Sequence, residues 1–420
     1  MKLKLIIALL LFQLGFSQQR TCGTDAQMQK MMSDPVAKQK HLDFQKKFNI
    51  ELAKLQDPQN EAARNTNATI IIPVAVHFPE ITANSPIKEC LKLLIQNQID
   101  ILNAAFSATN PDIALWTPQV QAFYPGTNLG NPNIKFIIAT KNHPAGTGLT
   151  NGQAAITFGT NFLYIQNGDH RDIQWKGYLN IVCRDTNLGS GYYTGGTPDE
   201  GNLIVLKNNC FGSGAGCGTG FEPYFGWHLG GTAIHEVAHY LSVHHTFGKD
   251  GTITDCSRGN TDDVDDTPQC QMSSMWPEPG SVAGCVPGTK SLTMNYMDYT
   301  LDGNKFMFTA GQVVRMRAYY NTVASQFATN VLGEQDFEFK DFSLFPNPNN
   351  GSFKISFTPE TNEEIAVEII DMNGRNIYSK TFQNLGLFDN DLQINNISSG
   401  MYFLNIQNGK RKMVRKIIKK

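Results

Sequence analysis

The string HEVAHYLSVHHTF at residues 235–247 constrains this chain more than any other stretch. In an α-helix, residues four positions apart lie on the same face. His235 and His239 therefore point in one direction and can bind one metal ion, and Glu236 lies beside them. In a chain with nine histidines, chance supplies a His-Glu-x-x-His pattern on the order of 0.01 times. The pattern therefore predicts a helix that carries a catalytic zinc site.

Helical spacing alone leaves the third zinc ligand open. His244 and His245 lie five and six positions after His239, so neither continues the face of the helix. Either one can reach the metal only if the helix ends first, and we expect a turn near Ser242. Zn²⁺ in such a site lowers the pKa of bound water towards ~7 and polarises a peptide carbonyl. Glu236 would take the proton of the water and return it to the leaving amine.

The string resembles the zinc signature HExxHxxGxxH of the metzincin metallopeptidases, and more specifically the helix of the pappalysin-like family. IIIPVAVHF, QNQIDILNAAF, IKFIIAT, YLNIVCR, DDVDDTP and NYMDYT follow in the order of that family, over about residues 65–325. The resemblance implies an α+β fold, in which a twisted mixed sheet accompanies the active-site helix. It places Ser242 at the glycine position of the signature and leaves His244 out. The zinc ligands that it implies are His235, His239 and His245.

NYMDYT at residues 295–300 resembles the Met-turn that lies beneath the zinc ligands of this family. The resemblance implies that Met297 is a hydrophobic floor and that Tyr299 can swing towards the metal. A phenol there could donate to the oxyanion of the tetrahedral intermediate. Taken in isolation, the same string would more simply be a core methionine and a surface tyrosine in a turn.

Asp302 matches a position at the bottom of the S1′ pocket in relatives of this family. A carboxylate there would favour arginine or lysine after the scissile bond, at P1′. The relatives carry a cysteine two residues further on, where this chain has Asn304. We therefore expect one bridge of the family to be absent and Cys270 to lack its usual partner.

RGNTDDVDDTP at residues 258–268 concentrates acidic side chains. Carboxylates this close repel each other, so either solvent screens them or a cation binds, and hard oxygen donors suit Ca²⁺. The alternative is a solvated loop without an ion. The resemblance implies a structural calcium site with the ligands Asp262, Val264 (through its carbonyl), Asp266 and Thr267.

The N-terminus predicts export. Two lysines precede an apolar run that is followed by small and polar residues, the pattern of a secretory signal peptide over residues 1–18. The alternative, a membrane anchor, needs roughly 20 apolar residues. The polar stretch 19–64 that follows is most simply a pro-segment, and a loosely attached arm is the alternative. Eight cysteines fit an oxidising compartment, and Cys210 and Cys217 lie close enough in a Gly-rich loop to pair.

RTCGT at residues 20–24 places a lone cysteine in this stretch. A thiolate can act as a fourth zinc ligand and displace the catalytic water, which keeps a precursor latent. The string is similar to RxCG in precursors of the pappalysin-like family, which implies that Cys22 is the latency residue. An intermolecular or loop disulfide is the alternative. Activation would cut near residues 63–65.

Residues 65–330 read as one catalytic domain with mixed α and β patterns. Apolar residues at helical spacing predict helices over 86–106 and 309–324, the second with Thr309 as its N-cap. The polar stretch before the predicted catalytic domain also has a helical pattern, at residues 42–55. Four apolar runs predict strands, at 69–78, 134–140, 178–184 and 202–207.

A linker at residues 331–341 precedes a compositionally different region, residues 342–420. Short alternating runs joined by Asn-Gly pairs predict a small antiparallel β-sandwich. FPNPNNGSF, the MNG turn, SSGMYFLNI and the basic end KMVRKIIKK resemble the sorting domain of type IX secretion substrates. The resemblance implies the type IX secretion machinery as a partner. A carbohydrate-binding sandwich is the alternative, but no exposed-looking aromatic stripe supports it.

The overall prediction is a secreted zinc endopeptidase that is made as a latent precursor and acts on proteins or peptides. The net charge of −2 gives no indication of a nucleic-acid partner. One alternative is a catalytically silent adhesin or binding module of the same fold, but a structural zinc site would need neither Glu236 nor Tyr299. A second alternative is a zinc hydrolase that acts on other bonds, which would lack the Met-turn.

Overall fold

The computed structural model describes residues 22–60, 68–159, 172–248, 256, 262–273, 275–332, 339–359, 361–371, 375–394, 397–409 and 411–420. The chain forms two compact units, residues 1–333 and 334–420. The division falls inside the stretch predicted as a linker. The predicted signal peptide and the predicted activation cleavage sites lie outside the described residues.

A six-stranded mixed sheet forms the centre of the first unit. The strands are β1 (Ile70–Phe78), β2 (Ile134–Ile138), β3 (Ile156–Phe158), β4 (Leu179–Cys183), β5 (Gly191–Tyr193) and β6 (Leu203–Leu206). Their order is β2-β1-β4-β6-β5, and β3 also pairs with β1. The strand β5 pairs antiparallel with β6, whereas the other described pairs are parallel. Strands β1, β4 and β6 are buried almost throughout, as expected for strands covered on both faces.

Four helices flank this sheet in the part of the unit after residue 68 that is described. They are α3 (Lys88–Phe106), α4 (Pro118–Gln121), α5 (Gly231–Tyr240) and α6 (Ala310–Val323). Helix α3 buries the apolar face that its periodicity predicts, including Leu91, Ile95 and Leu102. Helix α6 begins after Thr309, whose hydroxyl accepts a hydrogen bond from the backbone N–H of Gln312, as the N-cap prediction requires.

The N-terminal segment, residues 22–60, consists mainly of two helices, α1 (Thr24–Ser33) and α2 (Pro35–Gln56). Asp34 caps α2 by accepting a hydrogen bond from Ala37 N, and Pro35 occupies the first helical position. Helix α2 packs against α6 through a few apolar side chains, chiefly Phe48 and Leu55. Its remaining surface is largely exposed, so this segment adds little to the central core.

Two disulfides link four of the described cysteines, as Cys90–Cys217 and Cys256–Cys285. The suggested pairing of Cys210 with Cys217 is therefore wrong, because Cys217 bonds to a residue of α3. The thiol Sγ of Cys210 lies instead 3.5 Å from Asn209 Oδ1. Cys270 forms no disulfide, and Asn304 donates a hydrogen bond to Thr293 O, in line with the predicted loss of one bridge.

The second unit contains two antiparallel sheets with a shared apolar core, as the alternating pattern predicts. One sheet has the order β10-β9-β12-β13 and the other β11-β8-β7. The strands are β7 (Lys340–Phe345), β8 (Ser352–Thr358), β9 (Ile365–Asp371), β10 (Asn376–Phe382), β11 (Phe388–Gln393), β12 (Gly400–Asn408) and β13 (Arg411–Lys419). Among the described residues of the chain, no helix has the length and apolar character needed to span a membrane.

Candidate active site

Helix α5 lies under the sheet edge formed by β5 and β6 and is buried along its whole length. Its sequence GTAIHEVAHY supplies apolar residues for that burial, so the two histidines and the glutamate of the helix are enclosed with them. Burying polar side chains is costly unless they are paired or functional. His235 and Glu236 are fully buried and His239 is almost fully buried. These three polar side chains are therefore the candidate functional residues of the helix.

The helix ends in a left-handed turn at Ser242, where a turn is predicted. Ser242 has φ of 64°. Its N–H donates to His239 O, and Val243 N donates to Ala238 O, which together form a Schellman motif. The turn reverses the chain immediately after α5, and His245 then returns towards the face that carries His235.

The side chains of His235, His239 and His245 converge through their Nε2 atoms. The three Nε2–Nε2 distances are 3.0, 3.1 and 3.2 Å. His235 Nδ1 lies 2.8 Å from Tyr296 O, and His239 Nδ1 lies 2.8 Å from Val243 O. Carbonyl acceptors require the proton on Nδ1, so the Nε2 lone pairs of these two rings point to one place. Three imidazoles arranged in this way fit a Zn²⁺ ion.

His244 is not part of this group. Its Nε2 lies 3.0 Å from Arg315 Nη2, and Arg315 Nε donates to Ser242 O. The arginine therefore supports the turn and orients His244 away from the convergence point. This agrees with the resemblance, which leaves His244 out.

Glu236 lies next to the histidines and faces the edge strand β5. A Cβ at Gly191 of that strand would come within 3.0 Å of Glu236 Cγ, so the absence of a side chain there makes room for the glutamate. The atom Oε2 of Glu236 accepts a hydrogen bond from Thr24 Oγ1 at 3.0 Å and lies 3.5 Å from Cys22 Sγ. Residues of the N-terminal segment thus bind the carboxylate that would accept a proton from water.

The segment NYMDYT at residues 295–300, which resembles the Met-turn, contains Met297 and Tyr299. Met297 is fully buried in the main core, and its carbonyl accepts a hydrogen bond from Thr246 N. The ring centroid of Tyr299 is 4.9 Å from that of His245, and burial raises the pKa of Tyr299. Asp298 Oδ1 accepts from the backbone N–H of Tyr299 at 2.7 Å, so Asp298 positions the tyrosine. Burial raises the pKa of Asp298 to about 6.

The N-terminal segment enters the site beside β5. Gly23 N donates to Gly191 O, and Cys22 forms a parallel bridge with Gly191. The hydroxyl of Thr24 accepts from Tyr193 N at 2.8 Å while donating to Glu236. Residues 22–24 therefore extend the edge of the sheet, as an added strand would.

The thiol of Cys22 lies close to all three histidines. The ligand atoms of Cys22, His235, His239 and His245 all lie within 4.8 Å of one another, and they form the one group of this kind among the described residues. Burial and the carboxylate of Glu236 raise the pKa of the Cys22 thiol. Asp25 Oδ2 lies 3.5 Å from His245 Nδ1. Sequence reasoning missed Thr24 and Asp25, because neither belongs to a pattern.

Asp302 is buried at the start of helix α5. Its Oδ2 accepts hydrogen bonds from Leu229 N and Gly231 N at 3.1 and 3.0 Å, and Gly231 precedes His235 by one turn. Its Oδ1 lies 3.5 Å from Lys305 Nζ. Sequence reasoning also missed Lys305, although the resemblance drew attention to Asn304 next to it.

The four residues predicted to hold calcium lie near the start of α6. Val264 N donates to Asp262 Oδ1, and Gly311 N lies 3.1 Å from both carboxylate oxygens of Asp266. Burial raises the pKa of Asp262 to about 8. Thr267 is buried close by. Among the described residues, the two aspartates form no group of three metal-binding side chains, so calcium stays a prediction.

Both units match known families. Residues 228–321 match the profile of the pregnancy-associated plasma protein-A family, and residues 343–420 match that of the secretion system C-terminal sorting domain. A promirolysin variant from Tannerella forsythia superposes with a TM-score of 0.53 at 27% sequence identity, covering 73% of this chain and 95% of that one.

Curated relatives are similar over shorter stretches. An extracellular metalloprotease from Verticillium alfalfae is 30% identical over 161 residues, which are 38% of this chain and 52% of that protein. An extracellular metalloprotease from Neurospora crassa is 41% identical over 96 residues, 23% of this chain and 31% of that protein. The chain thus spans about half or less of the length of these relatives.

These matches, on a mixed sheet whose following helix brings three histidines together, place the chain in the metzincin class of zinc metallopeptidases. Within that class the chain belongs to the pappalysin-like family, and its second unit is a type IX secretion sorting domain. The sorting domain and the extracellular relatives identify it as a secreted protein.

Proposed function

We propose that this chain is a zinc-dependent endopeptidase that is made as a latent precursor. The observation that carries the proposal is the convergence of three imidazole Nε2 atoms beside a buried glutamate, with the thiol of Cys22 in reach of the same point. A Zn²⁺ ion held by His235, His239 and His245 would supply Lewis-acid chemistry at the scissile carbonyl and acidify the attacking water.

The catalytic steps follow from the positions of two side chains. Glu236 would take a proton from the attacking water and pass it to the nitrogen of the leaving amine. Tyr299, kept protonated by its raised pKa, would donate a hydrogen bond to the carbonyl oxygen as negative charge develops there. Met297 fills the core below the histidines and keeps their surroundings dry. The substrate main chain would pair with β5, the edge that the N-terminal segment occupies here.

Latency would arise because the N-terminal segment occupies both parts of the site. Cys22 Sγ would complete the ligand set of the zinc ion, which needs four donors. Thr24 holds the carboxylate of Glu236 at 3.0 Å, so the base is engaged as well. We propose residues 19–64 as the pro-segment, residues 65–330 as the catalytic domain and residues 342–420 as the sorting domain that engages the type IX machinery.

Two finer assignments complete the proposal. Asp302 would line the S1′ pocket and favour arginine or lysine at P1′. Asp262, Val264, Asp266 and Thr267 would hold a structural Ca²⁺ ion near α6, supported by the burial of the Asp262 carboxylate.

The test is hydrolysis of peptides by the full-length chain, before and after removal of the N-terminal segment, with zinc content measured in parallel. We expect turnover after removal, little before it, and none from Glu236→Ala, which retains zinc. A chain that binds zinc but cleaves no peptide in any form would instead be the silent binding module.

A further inference from the structure

Lys305 is a lysine in the interior of the first unit. Its Nζ lies 3.5 Å from Asp302 Oδ1, and both side chains have 0% relative exposure. Its positive charge also opposes the effect of burial on the pKa of Asp298. Lysine is almost never fully buried unless it is paired with opposite charge. The position of Lys305 is therefore determined by the two buried carboxylates.

The Asp302 carboxylate is fixed from one side and paired from the other. Two backbone N–H groups, of Leu229 and Gly231, bind Oδ2. A Cβ at Gly231 would overlap the carboxylate, so the carboxylate packs directly against the start of the helix that carries His235. The remaining oxygen, Oδ1, faces Lys305.

Exposed apolar side chains lie beside Gly303, the residue that follows Asp302. Leu229 and Trp276 are 43% and 46% exposed, and Phe225, 69% exposed, packs edge-on against Trp276 with ring centroids 5.5 Å apart. A Cβ at Gly303 would lie 3.7 Å from Trp276 Nε1 and 4.0 Å from Leu229 Cδ1. The chain next to Asp302 thus presents an exposed apolar surface, while the side chains of Asp302 and Lys305 are buried.

We propose that Lys305 is a specificity-determining residue, whose ammonium group competes with a basic P1′ side chain of the substrate for the Asp302 carboxylate. The inference rests on the proposed peptidase function and on Asp302 as the carboxylate of the S1′ pocket. An incoming arginine or lysine must displace Lys305 before it can pair with Asp302. An apolar P1′ side chain packs against Leu229 and Trp276 and leaves the ion pair intact.

The substrate class that follows is broader than the resemblance implies. The preference for a basic P1′ residue is therefore weaker than Asp302 alone would give, because Lys305 already neutralises part of the charge that attracts such a residue. Replacing Lys305 by a neutral side chain of similar length should restore selection for arginine.

The experiment compares two peptides that differ only in arginine or leucine at P1′, with the activated full-length chain. Lys305→Met should raise the ratio of kcat/KM for the arginine peptide over the leucine peptide about tenfold, equivalent to about 1.4 kcal/mol. The matched control is Lys176→Met, which removes an exposed lysine and should leave the ratio unchanged. An unchanged ratio in Lys305→Met would overturn the proposal.

Two further measurements keep the proposal testable. If Lys305→Met does not fold, Asp302→Asn/Lys305→Met removes both charges, and its ratio of kcat/KM for arginine over leucine should not exceed that of the parent; a higher ratio would refute the competition. The second measurement is the melting-temperature shift caused by the dipeptides Arg-Val and Leu-Val. If the parent cleaves neither peptide, the proposed function fails, while a larger Arg-Val shift for a variant lacking Lys305 still supports the role of Lys305, and an equal shift rejects it.

Discussion

The three candidate zinc ligands and the residues that cover them are held in different ways. His235 and His239 lie on a buried helix, and each Nδ1 is 2.8 Å from a backbone carbonyl of the catalytic domain. His245 follows a hydrogen-bonded turn at Ser242, which Arg315 supports from the side. The orientation of the first two ligands thus depends on carbonyl acceptors that belong to the catalytic chain itself.

The covering residues Cys22 and Asp25 make longer contacts, whereas Gly23 and Thr24 form hydrogen bonds of 2.8–3.0 Å. Cys22 N is 3.4 Å from Tyr299 OH, and Cys22 Sγ is 3.5 Å from Glu236 Oε2. Asp25 reaches His245 at 3.5 Å. Hydrogen bonds between nitrogen and oxygen atoms weaken with distance, so Gly23 and Thr24 hold the segment more strongly than Cys22 N and Asp25 do. The comparison teaches that the orientation of His235 and His239 does not depend on the N-terminal segment, whereas each of these contacts of the segment ends on a residue beyond it.

The largest expected effect comes from breaking the site itself. His245→Ala removes one of three ligands, and peptide hydrolysis should fall by more than about 100-fold, since even outer-shell partners of zinc ligands are worth 10–100-fold. Zinc content, measured by atomic absorption, should fall with it. The matched control is His244→Ala, which should retain zinc and activity. Equal zinc loss in the two variants would contradict the assignment of the third ligand.

The next effect comes from removing the thiol of the N-terminal segment that lies beside the histidines. Cys22→Ala removes the proposed fourth ligand, and hydrolysis of a small peptide by the uncut chain should rise about tenfold or more, or about 1.4 kcal/mol. The control is Lys40→Ala, which removes the exposed ion pair between the N-terminal segment and Glu200. Such pairs are worth about 0–1 kcal/mol, so latency should persist. If Cys22→Ala remains fully latent, the thiol is not the switch.

A smaller effect is expected at Thr24, whose hydroxyl joins the cover to the site. Thr24→Val keeps the shape but leaves two buried partners, Glu236 Oε2 and Tyr193 N, without this hydroxyl, at a cost of about 1–3 kcal/mol. Docking of the segment should weaken, so limited proteolysis should remove it severalfold faster. Ser33→Ala, an exposed hydroxyl of the same segment that bonds only to Lys30 O, is the control and should change nothing. Equal proteolysis rates for both variants would show that the Thr24 contacts do not hold the segment.

The smallest effect is expected at the turn. A left-handed conformation costs a residue with a side chain about 1–2 kcal/mol, and Ser242→Gly would remove this cost from the folded state. The greater conformational entropy of glycine in the unfolded chain offsets part of that gain in stability. Ser242→Gly should therefore bind zinc no more weakly than the parent, and its free energy of unfolding in urea should rise by no more than about 1 kcal/mol. A weaker zinc affinity would mean that the serine side chain itself supports the site.

The sequence predicts those parts of the molecule that have a periodic apolar pattern or a recognisable motif. The spacing of His235 and His239 predicts the helix. The spacing of His244 and His245, which do not continue the helix face, predicts the turn, and Ser242 lies in that turn with a left-handed conformation. The four longer strands and the antiparallel second unit follow from their apolar patterns. These features depend on residues near each other in the chain.

The remainder depends on contacts between distant residues. Strand β5 has three residues, too few for an alternating pattern, yet it forms the edge along which Cys22 lies. The disulfide Cys90–Cys217 joins residues 127 positions apart. Burial of Lys305 next to Asp302 depends on how the turn packs against α5, which no local pattern encodes.

The hydroxyl of Thr24 is shared between the edge strand and the proposed general base, because it accepts from Tyr193 N and donates to Glu236. Withdrawal of the segment that carries this hydroxyl would free the β5 edge for a substrate backbone and the carboxylate of Glu236 for a proton in a single event. Intermediates with a free edge and an engaged base, or the reverse, are therefore not expected. During activation, the fraction of active molecules should rise, while the rate of each active molecule stays constant.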